Sequence, residues 1–208
     1  MFEDTFSQNG PGGVGNSTSN GLWLKADNLS LNNNDPVVTW NDASGNSNNA
    51  TAVATEQPLF VSSSAINNMP AIRFDGNNDI MTVADAAILD GTSGLTYFAV
   101  IRPSNLDNSP RPIMGKRLAY TSPDYAYTWF FYSNNYLNLD LNTGNNRFTT
   151  NPTSFSNATN YLLSFNYDGS LTPAQRAKIY NAGTLNTTSV ESSNSILNSS
   201  ADLIIGTF

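Results

Sequence analysis

The chain has neither cysteine nor histidine. Without cysteine there is no disulfide, thiolate nucleophile, zinc–thiolate site or iron–sulfur cluster. Without histidine there is no Ser-His-Asp triad, imidazole base or His-ligated zinc. Glutamate is nearly missing too: Glu3, Glu56 and Glu191 are the only three. Lys and Arg number 9 against 16 acidic residues, a net charge of −7, and the basic residues do not cluster. That excludes a nucleic-acid surface, which needs a basic patch to meet phosphates. No apolar run approaches the roughly 18 residues of a membrane-spanning helix, and no signal peptide is expected at Met1.

Neutral polar residues take the place of the missing charge: 31 Asn, 24 Ser and 20 Thr in 208 residues. With 3 Trp, 9 Tyr and 11 Phe there is still enough apolar mass for one core. Residues 1–17 are Gly-, Asn- and Ser-rich and read as a leader or linker, leaving residues 18–208 as one domain. Short apolar and aromatic runs then alternate with Asn-Asn, Asp-Gly, Thr-Gly and Ser-Pro turns. The runs are 21–26, 37–40, 57–61, 71–74, 80–83, 95–102, 112–116, 125–132, 137–141, 161–168, 177–181, 187–190 and 202–206. Their aromatic and β-branched content makes them strands. Only Asp85–Leu89 and Pro173–Arg176 look helical, one turn each. So many short strands predict an all-β fold of two packed antiparallel sheets. Trp23, Trp40, Phe74, Phe98, Leu139 and Phe165 are expected in its core.

Period-two alternation assigns faces. Leu137, Leu139 and Leu141 share one face, opposite Tyr136, Asn138 and Asp140. Tyr125, Tyr127, Trp129 and Phe131 share another, opposite Ala126, Thr128, Phe130 and Tyr132. Aromatics on both faces exceed what one sheet interface consumes, and this suggests a binding surface. Sugars are held by aromatic stacking with amide and carboxylate hydrogen bonds. Tyr125, Tyr127, Trp129, Tyr132, Tyr136, Asn138, Asp140 and Asn166 supply those groups and are the candidate glycan-binding set. The bland alternative is that the aromatics fill the sandwich and the polar groups face water.

Asp42, Ser44, Asn46 and Asn48 place oxygens at every second position around Gly45. Calcium takes six to eight oxygen ligands, so this loop is the candidate metal site, with calcium the only cofactor suggested. The alternative is a hydrogen-bonded polar turn. Asp75, Asn77, Asn78 and Asp79 form a second oxygen cluster, and Arg73 is expected to pair with a carboxylate such as Asp75 or Asp42. Asp140 and Asp168 are the one carboxylate pair that glycoside hydrolysis could use. No catalytic residue is assigned, and the chain is read as a non-enzyme.

Three segments carry a family resemblance: Gly21–Asp27 (GLWLKAD), Trp40–Thr51 (WNDASGNSNNAT) and Pro70–Asp79 (PAIRFDGNND). Together they resemble LamG-like, concanavalin A-like jelly-roll domains of large secreted bacterial surface proteins. Many of these come from Bacteroidota, among adhesins and type IX secretion cargo. Ala177–Leu185 is similar to that family's Asn-Gly hairpin, with Ala182 intervening. The resemblance implies a jelly-roll sandwich and a secreted or cell-surface location. It also implies adhesion or carbohydrate recognition, with a glycan or host cell surface as partner. A ligand-free structural spacer is the rival, and a glycoside hydrolase the third reading. It further implies a closing strand after Phe208, which would leave Asp202–Gly206 at an open sheet edge for another polypeptide to complete.

Overall fold

A computed structural model describes residues 10–11, 14–16, 18–118, 125–150 and 155–206. Most of the expected leader, residues 1–9, 12, 13 and 17, lies outside the described residues. The fold is all-β and every strand pairing is antiparallel. The strands are β1 Thr39–Trp40, β2 Ala50–Thr51, β3 Leu59–Val61, β4 Ala71–Arg73, β5 Ile80–Val83, β6 Gly94–Ile101 and β7 Arg111–Arg117. They continue with β8 Tyr125–Tyr132, β9 Tyr136–Leu141, β10 Arg147–Thr149, β11 Tyr161–Asp168, β12 Ala177–Asn181, β13 Thr184–Ser189 and β14 Leu203–Gly206.

The larger sheet runs β1-β2-β5-β14-β7-β8-β9-β10, the smaller β13-β12-β11-β6, and β3 pairs with β4 alone. The two large sheets form the sandwich. From the larger sheet Met81, Val83, Tyr127, Trp129, Phe131, Leu137, Leu139, Leu141, Leu203 and Ile205 point inward. They meet Leu163, Phe165, Tyr167 and Ile179 of the smaller sheet. Each inward set keeps the period of two that the sequence showed.

Several expectations change. Leu203–Gly206 is not an open edge: β14 lies inside the larger sheet, paired to β5 on one side and β7 on the other. Its Leu and Ile side chains are therefore where an interior strand needs them. Gly21–Ala26 is no strand; it makes one isolated bridge, Leu24 to Asp42. Phe98 points out of the sandwich and is 64% exposed. Its strand neighbours Tyr97 and Ala99 face the core instead. Trp23 and Phe74 are half-buried, whereas Leu139 and Phe165 are buried as expected. The helix expected at Asp85–Leu89 is a 3-10 turn, Ala87–Leu89, and residues 173–176 form turns.

Candidate functional site

The outer face of β8, β9 and β10 gathers aromatic and charged side chains. It arises from a break in register. Arg117 pairs with Tyr125 but Lys116 pairs with Tyr127, so β8 carries one extra residue there. A bulge of this kind re-aims one side chain. Ala126 and Tyr127 both enter the core, and Tyr125 turns to the outer face beside Asp140.

On that face the Asp140 carboxylate is 2% exposed and accepts three hydrogen bonds. Arg147 donates from Nε to Oδ1 at 2.7 Å and from Nη2 to Oδ2 at 2.8 Å; the Tyr125 hydroxyl donates to Oδ2 at 3.2 Å. The Arg147 guanidinium also lies 4.8 Å from the Phe130 ring centroid and 5.6 Å from that of Tyr132. Arg117 lies 5.5 Å from the Tyr125 ring. Two arginines thus roof a layer of aromatic rings, an arrangement favoured by the ring quadrupole. Next to them Thr149 donates to Asn138 Oδ1 at 2.7 Å, and Asn138 Nδ2 donates to the Tyr136 carbonyl at 2.8 Å. Tyr132 and Tyr136 face each other across the β8–β9 turn, both half-buried.

Burial raises the Asp140 pKa above the ordinary carboxylate value, and the bonds from Arg147 only partly offset it. The same bonds raise the Arg147 pKa further. The Arg147 direction follows from a charged pair, whereas the Asp140 direction records what its desolvation costs. Burial also raises the Tyr125 phenol.

The candidate glycan-binding set is therefore divided. Tyr125, Tyr132, Tyr136, Asn138 and Asp140 share the outer face, where Tyr132 and Tyr136 are half-buried and Tyr125, Asn138 and Asp140 are buried. Tyr127 and Trp129 are buried in the core. Asn166 lies on β11 of the other sheet, where its amide donates to Thr96 Oγ1 at 2.9 Å. Arg147 was missed because β10 is three residues long and its run, Arg-Phe-Thr, is too short to show alternation. Asp140 and Asp168 are not brought together. Asp168 ends β11 in the smaller sheet and accepts bonds from the Ser170 backbone N–H and hydroxyl at 2.9 and 2.6 Å.

The loop from Asp42 to Asn48 is a knot of hydrogen bonds. Asp42 Oδ1 accepts from the N–H groups of Trp23 and Ser44, each at 2.8 Å. Oδ2 accepts from the Ser44 hydroxyl at 2.7 Å and the Asn48 N–H at 3.1 Å. The Asn46 and Asn48 amides donate to the carbonyls of Asn20 and Gly21, each at 2.7 Å. These four side chains tie the segment before β1 to the β1–β2 turn. They offer a cation one carboxylate, and both of its oxygens are already engaged, so the arrangement does not fit calcium. In the second cluster Asp75 Oδ1 accepts from the N–H groups of Asn77, Asn78 and Asp79. Arg73 pairs with no carboxylate among the described residues; it donates to Asn34 Oδ1 at 3.2 Å. No group of three or more acidic side chains that could hold a metal ion occurs among the described residues.

A second polar cluster lies inside the sandwich. Lys116 shares the core-facing side of β7 with Met114, opposite Tyr127, and is fully buried. Its Nζ contacts Asp85 Oδ1, Asp90 Oδ1 at 3.1 Å and the carbonyls of Ser199 and Ala201 at 2.5 and 2.6 Å. Nearby, the Tyr97 hydroxyl donates to that of Tyr127, which donates to the Leu89 carbonyl at 2.8 Å. The sequence signal was the parity of Lys116 with Met114. This cluster is closed to solvent at its lysine, which makes it structural.

No known family profile matches the chain, and no curated protein does. Solved structures do match. The binding domain of Paraclostridial Mosquitocidal Protein 1 aligns with 83% of this chain and 42% of its own, at 14% identity and a TM-score of 0.61. Domain 4 of an extracellular GH43 arabinanase from Geobacillus stearothermophilus, solved with arabinotriose, aligns with 71% of this chain and 65% of its own, at 10% identity and 0.50. The sialidase of Trypanosoma rangeli aligns with 88% of this chain and 26% of its own, at 15% identity and 0.51. The chain thus spans less than two thirds of each of them. At these identities the likeness is one of fold, and it establishes a β-sandwich of the kind found in these proteins.

Proposed function

We propose that this chain is a non-enzymatic carbohydrate-binding module of a secreted or cell-surface bacterial protein, acting in adhesion or glycan recognition. The glycan lies on the outer face of β8–β10. The observation that carries the reading is the Arg147–Asp140–Tyr125 network beside Tyr132, Tyr136 and Thr149. It holds the exposed Arg147 guanidinium, with Thr149, beside the half-buried rings of Tyr132 and Tyr136, and hydrogen-bonding groups next to aromatic surface are the combination sugars require. The sequence motifs are similar to LamG-like domains of Bacteroidota surface proteins and type IX cargo, which supports the extracellular setting. The binding domain and the arabinose-oligomer complex among the fold neighbours support a binding role.

A glycan array with the 208-residue chain tests it. We expect defined hits that Tyr136→Ala weakens about tenfold, ~1.4 kcal/mol, and that Arg147→Ala weakens further. An array without hits overturns the reading in favour of a spacer domain. One observation favours that rival: on this face the Asp140 and Asn138 side chains are already bonded to protein partners.

A further inference from the structure

The four ends of the two large sheets differ sharply. β1 is two residues long and β10 is three, with Arg147 on it. β13 joins β12 through a shifted register between Ile179 and Tyr180. Shortness, charge and irregularity are the devices by which sheets blunt an edge. β6 has none of them. It runs eight residues, Gly-Leu-Thr-Tyr-Phe-Ala-Val-Ile, without charge, proline or bulge, and pairs with β11 in unbroken register over its whole length. Among the described residues no strand pairs with its other side.

Side-chain burial points to the same gap. The core-facing residues of β11, Leu163, Phe165 and Tyr167, are buried. Those of β6, namely Leu95, Tyr97, Ala99 and Ile101, are only half-buried although they pack on the same core. On the opposite face Phe98 is 64% exposed, Val100 58% and Leu162 49%. Val100 sits directly across from Leu162, so the three form one apolar patch reaching the edge. A strand added beside β6 would cover both faces and engage its free backbone groups.

We infer that β6 is a self-association edge, at which two copies of this chain pair antiparallel about a two-fold axis near Phe98. A second β6 fits because it is uncharged, equally long and carries the same patch. A two-fold axis sets Thr96 of one copy opposite Val100 of the other and Phe98 beside its equivalent, so each patch meets a like patch. The union makes one eight-stranded sheet from two four-stranded ones. Pairing at this edge does not involve the outer face of β8–β10, which belongs to the other sheet.

Sedimentation velocity over a wide concentration range, combined with amide hydrogen exchange, tests the inference. The expected result is a reversible dimer in which β6 amides gain protection as concentration rises. Val100→Lys, at an exposed position, should sediment as a monomer throughout while keeping the β-sheet circular dichroism and the melting temperature of dilute, monomeric wild type. Three results overturn it: a monomer at every concentration, a dimer that persists in Val100→Lys, or protection that appears on another strand.

Discussion

Lys116 and Ala182 show how a single residue is held by its neighbours. A buried ammonium is tolerated only where oxygens replace its water, and Asp90, Asp85 and two carbonyls do so here. Lys116→Met fills similar volume but leaves Asp90, nearly buried, without its cation. Removing one member of a buried pair costs about 3–5 kcal/mol, and urea denaturation should show a loss of that size. A loss under about 1 kcal/mol would mean that Asp90 finds water. Ala182 works in the opposite direction. With Gly183 it forms the two-residue turn joining β12 and β13, at φ of 49° and 78°. Both values are left-handed, as the favoured hairpin turn requires, and alanine is strained there where asparagine is not. Ala182→Asn should therefore raise stability by roughly 0.5–1 kcal/mol, read as a higher melting temperature. An unchanged or lower value would show that the flanking strands already absorb the strain.

Among the elements, the turn between β1 and β2 depends on one carboxylate. Asp42→Ala would strand the N–H groups of Trp23, Ser44 and Asn48. A buried donor left without a partner costs about 1–3 kcal/mol, and the partial exposure here puts the expected total near the lower end of that range. Because the Asp42 oxygens are spent on these donors, thermal melts in chelator and in excess calcium should coincide. A rise in melting temperature with calcium would show that the ion displaces them. The longer strands were legible in sequence because alternation over six to eight residues is a strong signal, as in Tyr161–Asp168 and Tyr136–Leu141. β2 and β10 were not, because two or three residues show no period. Gly21–Ala26 looked like a strand from its Leu-Trp-Leu core. It is held instead by side-chain bonds from Asp42 and Asn48, which composition cannot distinguish from a loop that binds a metal.

At the scale of the molecule, what the sequence could not reveal was which sheet each strand joins. Asn166 and Asp140 both carry groups suited to a sugar, yet β11 and β9 belong to opposite layers. Likewise the bulge opposite Lys116 and Arg117 separates Tyr125 from Tyr127, a shift no alternation pattern contains. The charge distribution leads to the last prediction. Hydrogen bonds hold Asp107, Asp75 and Asp168 below the ordinary carboxylate pKa, chiefly from Arg111, the Asn77 N–H and Ser170 respectively. Their stabilisation is complete above the unfolded value, about 3.9, and is lost as pH falls through their folded values. Burial moves Asp79 and Asp140 the other way. Their charged forms oppose folding above their raised values, and that cost is relieved as pH falls toward the unfolded value. Net charge of −7 at pH 7 also shrinks toward the pI of about 4.3, reducing self-repulsion. Stability should therefore rise as pH is lowered from 7 into the mildly acidic range, then fall once the ordinary Asp range is crossed. Urea midpoints measured across pH should trace this maximum, and Asp140→Asn should flatten its neutral side. A stability that only declines from pH 7 downward would mean that the raised carboxylates contribute less than the hydrogen-bonded ones across the whole range.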